Sequence, residues 1–146
     1  MIVNDRPDLA LMSNSAGIHV GQDDFPPAEA RRLLGKDAVI GFSTHTSAQV
    51  EAALREPITY LAVGPVFATR TKDTGYRAVG LEFVSTVARM AGSVPVVAIG
   101  GITIENASSV IAAGAAAVAV IGDLVAVPDV RGRTRAYLQA LVQHRV

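Results

Sequence analysis

The sequence predicts an α/β fold in which a parallel sheet is covered by helices, and two observations carry that prediction. A short β-branched run, a Gly-rich or polar turn and an amphipathic stretch recur along the chain, which is the alternation of a βα repeat. The apolar runs carry almost no charge, as expected of strands buried on both faces. Length and composition fit one such domain, at 146 residues with 50% hydrophobic and 5% aromatic content.

The elements follow in order. A strand over 1–3 leads through Asn4-Asp5-Arg6 to a helix over 8–13. A strand over 17–20 precedes Pro26-Pro27, which opens a helix over 27–34, and Gly35 closes it by taking a positive φ. The next strand, 38–42, runs into Ser43-Thr44-His45-Thr46, where Thr46-Ser47 caps a helix over 47–55 with Gln49 and Glu51 in its first turn. A strand over 59–63 meets Gly64-Pro65, and a helix over 80–91 follows. The last two units pair a strand over 96–99 with a helix over 105–113, closed by Gly114, and a strand over 117–121 with a helix over 129–143.

Strand spacing refines the fold class. With Ile18, Ile40, Leu61, Ala98 and Ala119 as strand centres, the gaps are 22, 21, 37 and 21 residues. The third gap therefore holds a long loop, 69–79, and loops of that length in compact domains are usually functional or disordered. Six evenly spaced units fit an incomplete (β/α)8 barrel, filling a single partial-barrel domain over 1–146, better than an open doubly wound sheet.

Composition narrows the partners. Thirteen basic and thirteen acidic residues cancel, which argues against nucleic acid or an anionic membrane surface and leaves a small metabolite as the natural partner. The chain has no cysteine, so disulfides, thiolate nucleophiles and cysteine-held metals are excluded, in keeping with a reducing cytoplasm. The N-terminus has no basic region followed by an apolar core and reads as no secretory signal. The uncharged stretch 106–122 falls short of the roughly 20 strongly apolar residues of a spanning helix and reads as a buried helix end plus a strand.

Four constellations carry candidate chemistry. Asn4-Asp5 after the first strand and Gln22-Asp23-Asp24 after the second bring carboxylates to neighbouring strand ends, where Asp5 and Asp24 can share a hard cation such as Mg²⁺; alternatively each simply caps a helix. Ser43-Thr44-His45-Thr46 offers hydroxyls and an imidazole to a pyrophosphate or a proton, although a lone histidine is more often a turn or helix-start residue; His19 and His144 read as structural or exposed. In the loop, Thr69, Thr71 and Lys72 offer directional donors and an ammonium to phosphate, with a solvated loop as the competing reading. Gly100-Gly101, with Ile121-Gly122 at the next strand end, lets backbone N–H groups approach an anion, as in the last two units of many barrels, or forms plain tight turns.

Seven segments in series, Asn4-Asp5-Arg6, His19-Val20-Gly21-Gln22-Asp23-Asp24, Gly41-Phe42-Ser43-Thr44-His45-Thr46, Gly64-Pro65-Val66-Phe67, residues 69–74, Val79-Gly80-Leu81 and Pro95-Val96-Val97-Ala98-Ile99-Gly100-Gly101-Ile102-Thr103, resemble the thiamine phosphate synthase family in order and spacing. The resemblance implies a Mg²⁺-dependent transferase. Its reaction joins 4-amino-2-methyl-5-hydroxymethylpyrimidine diphosphate to 4-methyl-5-(2-phosphoethyl)thiazole, giving thiamine phosphate and pyrophosphate. It implies that Asp5 and Asp24 ligate Mg²⁺, that Asn4, Ser43 and Lys72 contact the diphosphate, with Ser43 and Lys72 catalytic, and that Thr69, Thr71, Gly101, Ile121 and Gly122 hold the thiazole phosphate. Gly122 stands where the family usually has Ser or Thr, so weaker phosphate binding is expected there.

Members of that family carry two further βα units before the strand that begins here at Met1, the second bearing a Gln-x-Arg-x-Lys set. The resemblance therefore numbers the present strands 3 to 8, makes the open barrel edges a route to a homo-oligomer, and sets an expectation of weak or no synthase activity for this polypeptide. The alternatives are a thiazole tautomerase-like isomerase, which shares the fold and a histidine at the place of His45 but lacks the paired carboxylates and the Thr-x-Thr-Lys loop, and a non-catalytic barrel fragment.

Overall fold

The computed structural model describes residues 1–69, 71 and 75–142. Among the described residues, six parallel strands lie in sequence order in one sheet: β1 (Ile2–Asn4), β2 (Gly17–Val20), β3 (Val39–Thr44), β4 (Tyr60–Val63), β5 (Val96–Ile99) and β6 (Ala117–Ala119). Seven helices are present among the described residues: α1 (Pro7–Met12), α2 (Pro27–Leu34), α3 (Ser47–Ala53), α4 (Gly80–Ala91), α5 (Ala107–Ala112), α6 (Gly122–Val125) and α7 (Val130–Val142). Each strand pairs only with its sequence neighbours, which is the connectivity of a βα barrel and not of a doubly wound sheet, whose order reverses at a switch point. The sheet is a curled half-barrel.

Register separates the two faces. In-register residues of parallel strands share a face, so the rows Val20, Phe42, Leu61, Val96 and Thr44, Val63, Ala98, Val118 lie together. Leu61, Val63 and Ala98 are fully buried against Val50 and Ala53 of α3, Val84 and Val87 of α4, and Val110 of α5. A smaller core joins Ile18, Val20 and Ile40 to Ala30 of α2. Burying a side chain such as Leu61 contributes about 1.5–3 kcal/mol, so this helix-facing side holds the sheet together. The opposite face carries Asn4, His19, Gly41 and Tyr60 in one row and Ser43, Ala62, Val97 and Ala117 in the next.

Local signals account for most element ends. Thr46 caps α3, its hydroxyl accepting from Gln49 N at 3.3 Å. Pro27 stands in the first turn of α2. Gly35 and Gly114 take φ values of +91° and +104° beyond the ends of α2 and α5. Several expected boundaries shift by one or two residues, two of them at strand ends on the rim. Strand β3 extends to Thr44 because Ser43 and Thr44 pair with Ala62 and Val63. Strand β6 stops at Ala119, where β5 ends opposite it. Helix α6 was not expected, since the sequence places Ile121-Gly122 at the end of a strand.

Beyond β4, a cis Gly64–Pro65 peptide begins the long connection to α4. Its start is tied to β5, with Val66 N donating to Ile99 O at 2.9 Å and Phe67 N to Gly100 O at 3.0 Å. Its end returns to the same place, with Val79 N on Pro65 O at 2.8 Å and Gly80 N on Val66 O at 3.0 Å. The loop is thus pinned at both feet over the C-terminal ends of β4 and β5. Large apolar side chains are exposed at both edges of the sheet: Met1, Ile2, Leu11 and Met12 beside β1, and Val125, Leu138 and Val142 on α6 and α7. No helix among the described residues is long and apolar enough to cross a membrane.

Candidate active site

Because all six strands run parallel, their C-terminal ends form one rim, and four of the sequence constellations lie on it. At the end of β1, Asp5 takes a left-handed backbone (φ +60°), its N–H donates to His19 O at 2.8 Å, and Asn4 Nδ2 donates to Asp5 Oδ2 at 2.6 Å. At the end of β2, Asp24 Oδ2 turns back to accept from Gly21 N at 2.8 Å. The N-cap positions of α1 and α2 are Arg6 and Pro26, so neither aspartate occupies one. Arg6 instead grips Asp8 through two hydrogen bonds, which hold that carboxyl down at about 2.

The open face of β2 to β4 holds a chain of three polar groups. His19 Nδ1 lies 2.8 Å from Tyr60 OH, and His19 Nε2 lies 2.8 Å from Ser43 Oγ. The His19 and Tyr60 rings stack with centroids 5.5 Å apart. Gly41 lies between them in register, and a β carbon there would overlap the Tyr60 ring and stand 2.5 Å from His19 Nδ1. The absent side chain is what lets His19 and Tyr60 meet across β3. Burial pushes the Tyr60 phenol up from its ordinary value, so it stays protonated through neutrality. Gln22 Nε2 donates to Ser43 O at 2.6 Å, tying the turn after β2 to the end of β3.

Of the hydroxyls of Ser43, Thr44 and Thr46, only that of Ser43 faces this chain of groups. Thr44 is fully buried and donates to Ala62 O at 2.9 Å, and Thr46 is occupied as the α3 cap. His45 Nδ1 lies 2.5 Å from Gly64 O, and since a carbonyl can only accept, Nδ1 carries the proton. The His45 ring stacks on Tyr76 at 4.0 Å, and Gln49 Nε2 donates to the Tyr76 hydroxyl at 3.1 Å. These contacts anchor the far side of the long loop to the start of α3.

The glycine turns meet the same loop. Gly101 (φ +63°) is partly exposed, and a β carbon on it would lie 2.5 Å from Ala68 O and 2.8 Å from Phe67 Cβ. Asn106 holds the turn, with Nδ2 donating to Gly101 O at 3.2 Å and Oδ1 accepting from Thr103 N at 2.9 Å. Gly122 opens α6, Ile121 before it is 52% exposed, and a β carbon on Gly122 would stand 3.4 Å from Thr71 Oγ1. Thr71 N donates to Thr69 Oγ1 at 3.2 Å. Asp123 locks this end to its neighbours, accepting from Tyr137 OH at 2.6 Å and from Ile104 N at 3.3 Å. The structure thus joins Thr69, Thr71 and Gly122 as one group and His19, Ser43 and Tyr60 as another. Lys72 and His144 lie outside the described residues.

His19, read from the sequence as structural or exposed, and Tyr60, which that reading did not single out, lie beside Ser43, while Gln22 and Asp123 hold the turns after β2 and β6. A signal for the first two exists: Gly17 and His19 share a period-2 face opposite the buried Ile18 and Val20, and the glycine at 41 marks a close approach.

Comparison with known proteins bears on this rim. The family model for thiamine monophosphate synthase matches residues 1–124. The chain belongs to the thiamine monophosphate synthase family. Its relatives include the thiamine-phosphate synthase of Koribacter versatilis, 46% identical over 141 residues, covering 97% of this chain and 65% of that one. A thiamine-phosphate synthase of Pelotomaculum thermopropionicum is 42% identical over 144 residues, covering 99% of this chain and 65% of its own length. The chain therefore spans just under two thirds of these family members. A thiamine phosphate pyrophosphorylase from Pyrococcus furiosus superposes with a TM-score of 0.89 at 30% identity, over 99% of this chain and 68% of that structure. The 3-hexulose-6-phosphate synthase from Salmonella typhimurium, at 17% identity and a TM-score of 0.72, shares the fold alone.

Proposed function

We propose that this chain furnishes the Mg²⁺–diphosphate and thiazole-phosphate subsites of a thiamine phosphate synthase, joining the pyrimidine diphosphate to the thiazole phosphate with release of pyrophosphate. The observation that carries the reading is the convergence on one rim of two carboxylate-bearing strand ends, a hydroxyl-bearing loop and two glycine turns, in a chain of this family. In this reading the domain over 1–146 represents strands 3 to 8 of a (β/α)8 barrel.

The donor set fits Mg²⁺. Asp5 and Asp24 supply oxygen ligands from adjacent strand ends. A hard cation held by two carboxylates completes its shell with water and phosphate oxygens, which suits a diphosphate substrate. Bound there, Mg²⁺ supplies positive charge against the diphosphate.

The residues of the chain do the rest. Asn4, Ser43 and Lys72 contact the diphosphate, with Ser43 and Lys72 stabilising the departing pyrophosphate through a hydroxyl and an ammonium. Thr69 and Thr71 donate to the thiazole phosphate from the loop, while the N–H groups around Gly101, Ile121 and Gly122 form the floor beneath it. Both subsites then hold the thiazole nitrogen in line with the carbon that loses pyrophosphate, so the rate gain comes from positioning and electrostatics. The paired carboxylates and the Thr69–Thr71 loop favour this reading over the tautomerase-like isomerase. The exposed apolar edges support association between copies in a cytoplasmic enzyme, which sedimentation reads directly: a monomer at every concentration contradicts it.

The test is product formation. Thiamine phosphate made from both substrates with Mg²⁺ above the uncatalysed rate, and lost in Asp24→Asn and Ser43→Ala, supports the reading. A folded chain that binds neither substrate contradicts it.

A further inference from the structure

We propose that Tyr60 is a positioning residue: its hydroxyl donates to His19 Nδ1, fixes the proton of His19 on Nε2, and so turns the Ser43 hydroxyl proton outward to the bound ligand. The geometry is a chain through the His19 ring, Tyr60 OH to Nδ1 and Nε2 to Ser43 Oγ, each 2.8 Å.

A neutral imidazole has one N–H and one lone pair, so only one of the two hydroxyls can donate to it. If Ser43 donates to Nε2, then Nδ1–H must be accepted by the phenol oxygen, and Ser43 presents lone pairs to the ligand. If Tyr60 donates to Nδ1, then Nε2–H donates to Ser43 Oγ, and the serine proton is free to point away. A phenol, with an ordinary pKa near 10, is a far stronger acid than an alcohol and the better donor, which selects the second arrangement. The Tyr60 and His19 rings stack with an interplanar angle of 22°, and the missing side chain at Gly41 opens the path between them.

The consequence is chemical selectivity. An outward-pointing hydroxyl proton recognises an acceptor, such as a diphosphate oxygen or a ring nitrogen, and not an amino group. This part rests on the assignment of Ser43 to the diphosphate subsite under Proposed function; the tautomer of His19 does not.

Two measurements separate the claims. Long-range ¹H–¹⁵N NMR of the whole chain above the histidine titration range, assigned with His19→Gln, reads which ring nitrogen is protonated. The expected result is a proton on Nε2 with Nδ1 as acceptor. In Tyr60→Phe, which keeps the ring and the stacking, the Nδ1 signal is expected to move away from that limit as the tautomers exchange. A proton on Nδ1 in the native chain, or no change in Tyr60→Phe, overturns the proposal. Calorimetric titration with inorganic pyrophosphate and Mg²⁺ then reads the coupling: Tyr60→Phe weakens binding about fivefold alone and has no effect in a Ser43→Ala background. Equal weakening in both backgrounds overturns the route through Ser43. Absence of binding by the folded native chain overturns the subsite assignment, and the NMR result still decides the role of Tyr60.

Discussion

Thr71 Oγ1 stands 3.4 Å from the point that a β carbon on Gly122 would occupy. The loop after β4 and the turn after β6 therefore share a wall at the open rim, although neither strand pairs with the other. That contact makes position 122 a sensitive probe. Gly122 has no positive φ, so a serine there meets no backbone strain, and its hydroxyl would join that of Thr71. Gly122→Ser is expected to tighten binding of the thiazole phosphate by about 1.5 kcal/mol, about tenfold, as a hydrogen bond to a charged group does. Isothermal titration of the two proteins checks it; equal affinities would remove Gly122 from the phosphate floor.

The carboxylates at the ends of β1 and β2 act as a pair in this account. Asp5→Asn and Asp24→Asn are each expected to weaken Mg²⁺-dependent pyrophosphate binding about tenfold or more, and to leave the melting temperature nearly unchanged, because both groups sit on the rim and not in either core. Magnesium titrations followed by calorimetry read the effect.

Gly41→Ala tests the close approach across β3. Its new methyl group would overlap the Tyr60 ring and crowd His19, so the expected cost is about 1–3 kcal/mol from overpacking, or a melting temperature lower by roughly 3–10 °C. Thermal unfolding by circular dichroism measures it, and an unchanged midpoint would show that the rings have room to separate.

At the opposite end of the sheet, Arg31 staples three segments by donating to the carbonyls of Gly35, Lys36, Ala38 and Pro57. Arg31→Ala is expected to destabilise the chain by about 1 kcal/mol or more, since the part-buried Ala38 carbonyl and three exposed ones lose their shared donor, while ligand affinity at the rim is retained. Urea unfolding beside ligand titration separates the two effects.

Alkaline pH has a defined sign. Tyr137, held between its burial and its hydrogen bond to Asp123, has its phenol pushed well above the ordinary value of 10.0. The unfolded chain then loses this proton first, so the stabilisation is present below about pH 10 and is lost as pH rises above it. Stability measured by urea unfolding is expected to fall above that pH in the native chain and to fall less in Tyr137→Phe.

The helix-facing half of the fold was legible because its residues announce themselves. Leu61, Val63, Val96 and Ala98 lie in charge-free runs, and caps such as Thr46 and closing glycines such as Gly35 and Gly114 mark where helices begin and end. The open face was harder to read. Ser43 and Thr44 look like turn residues in sequence, yet pairing with Ala62 and Val63 keeps them in β3 and aims only Ser43 at the site. His19 was read as structural because a histidine within a strand carries no periodicity of its own; its role emerges only from Tyr60, placed beside it two strands away. Helix α6 escaped because its four residues are held by Asp123 and α7, a tertiary contact with no local signature.

The most direct test of a phosphate-binding rim is calorimetric titration of the folded chain with 4-methyl-5-(2-phosphoethyl)thiazole in the presence of Mg²⁺ and pyrophosphate. The account predicts saturable binding at one site that is lost in Gly101→Val and weakened in Thr71→Val. No heat from a chain shown to be folded, or binding indifferent to both substitutions, would contradict it.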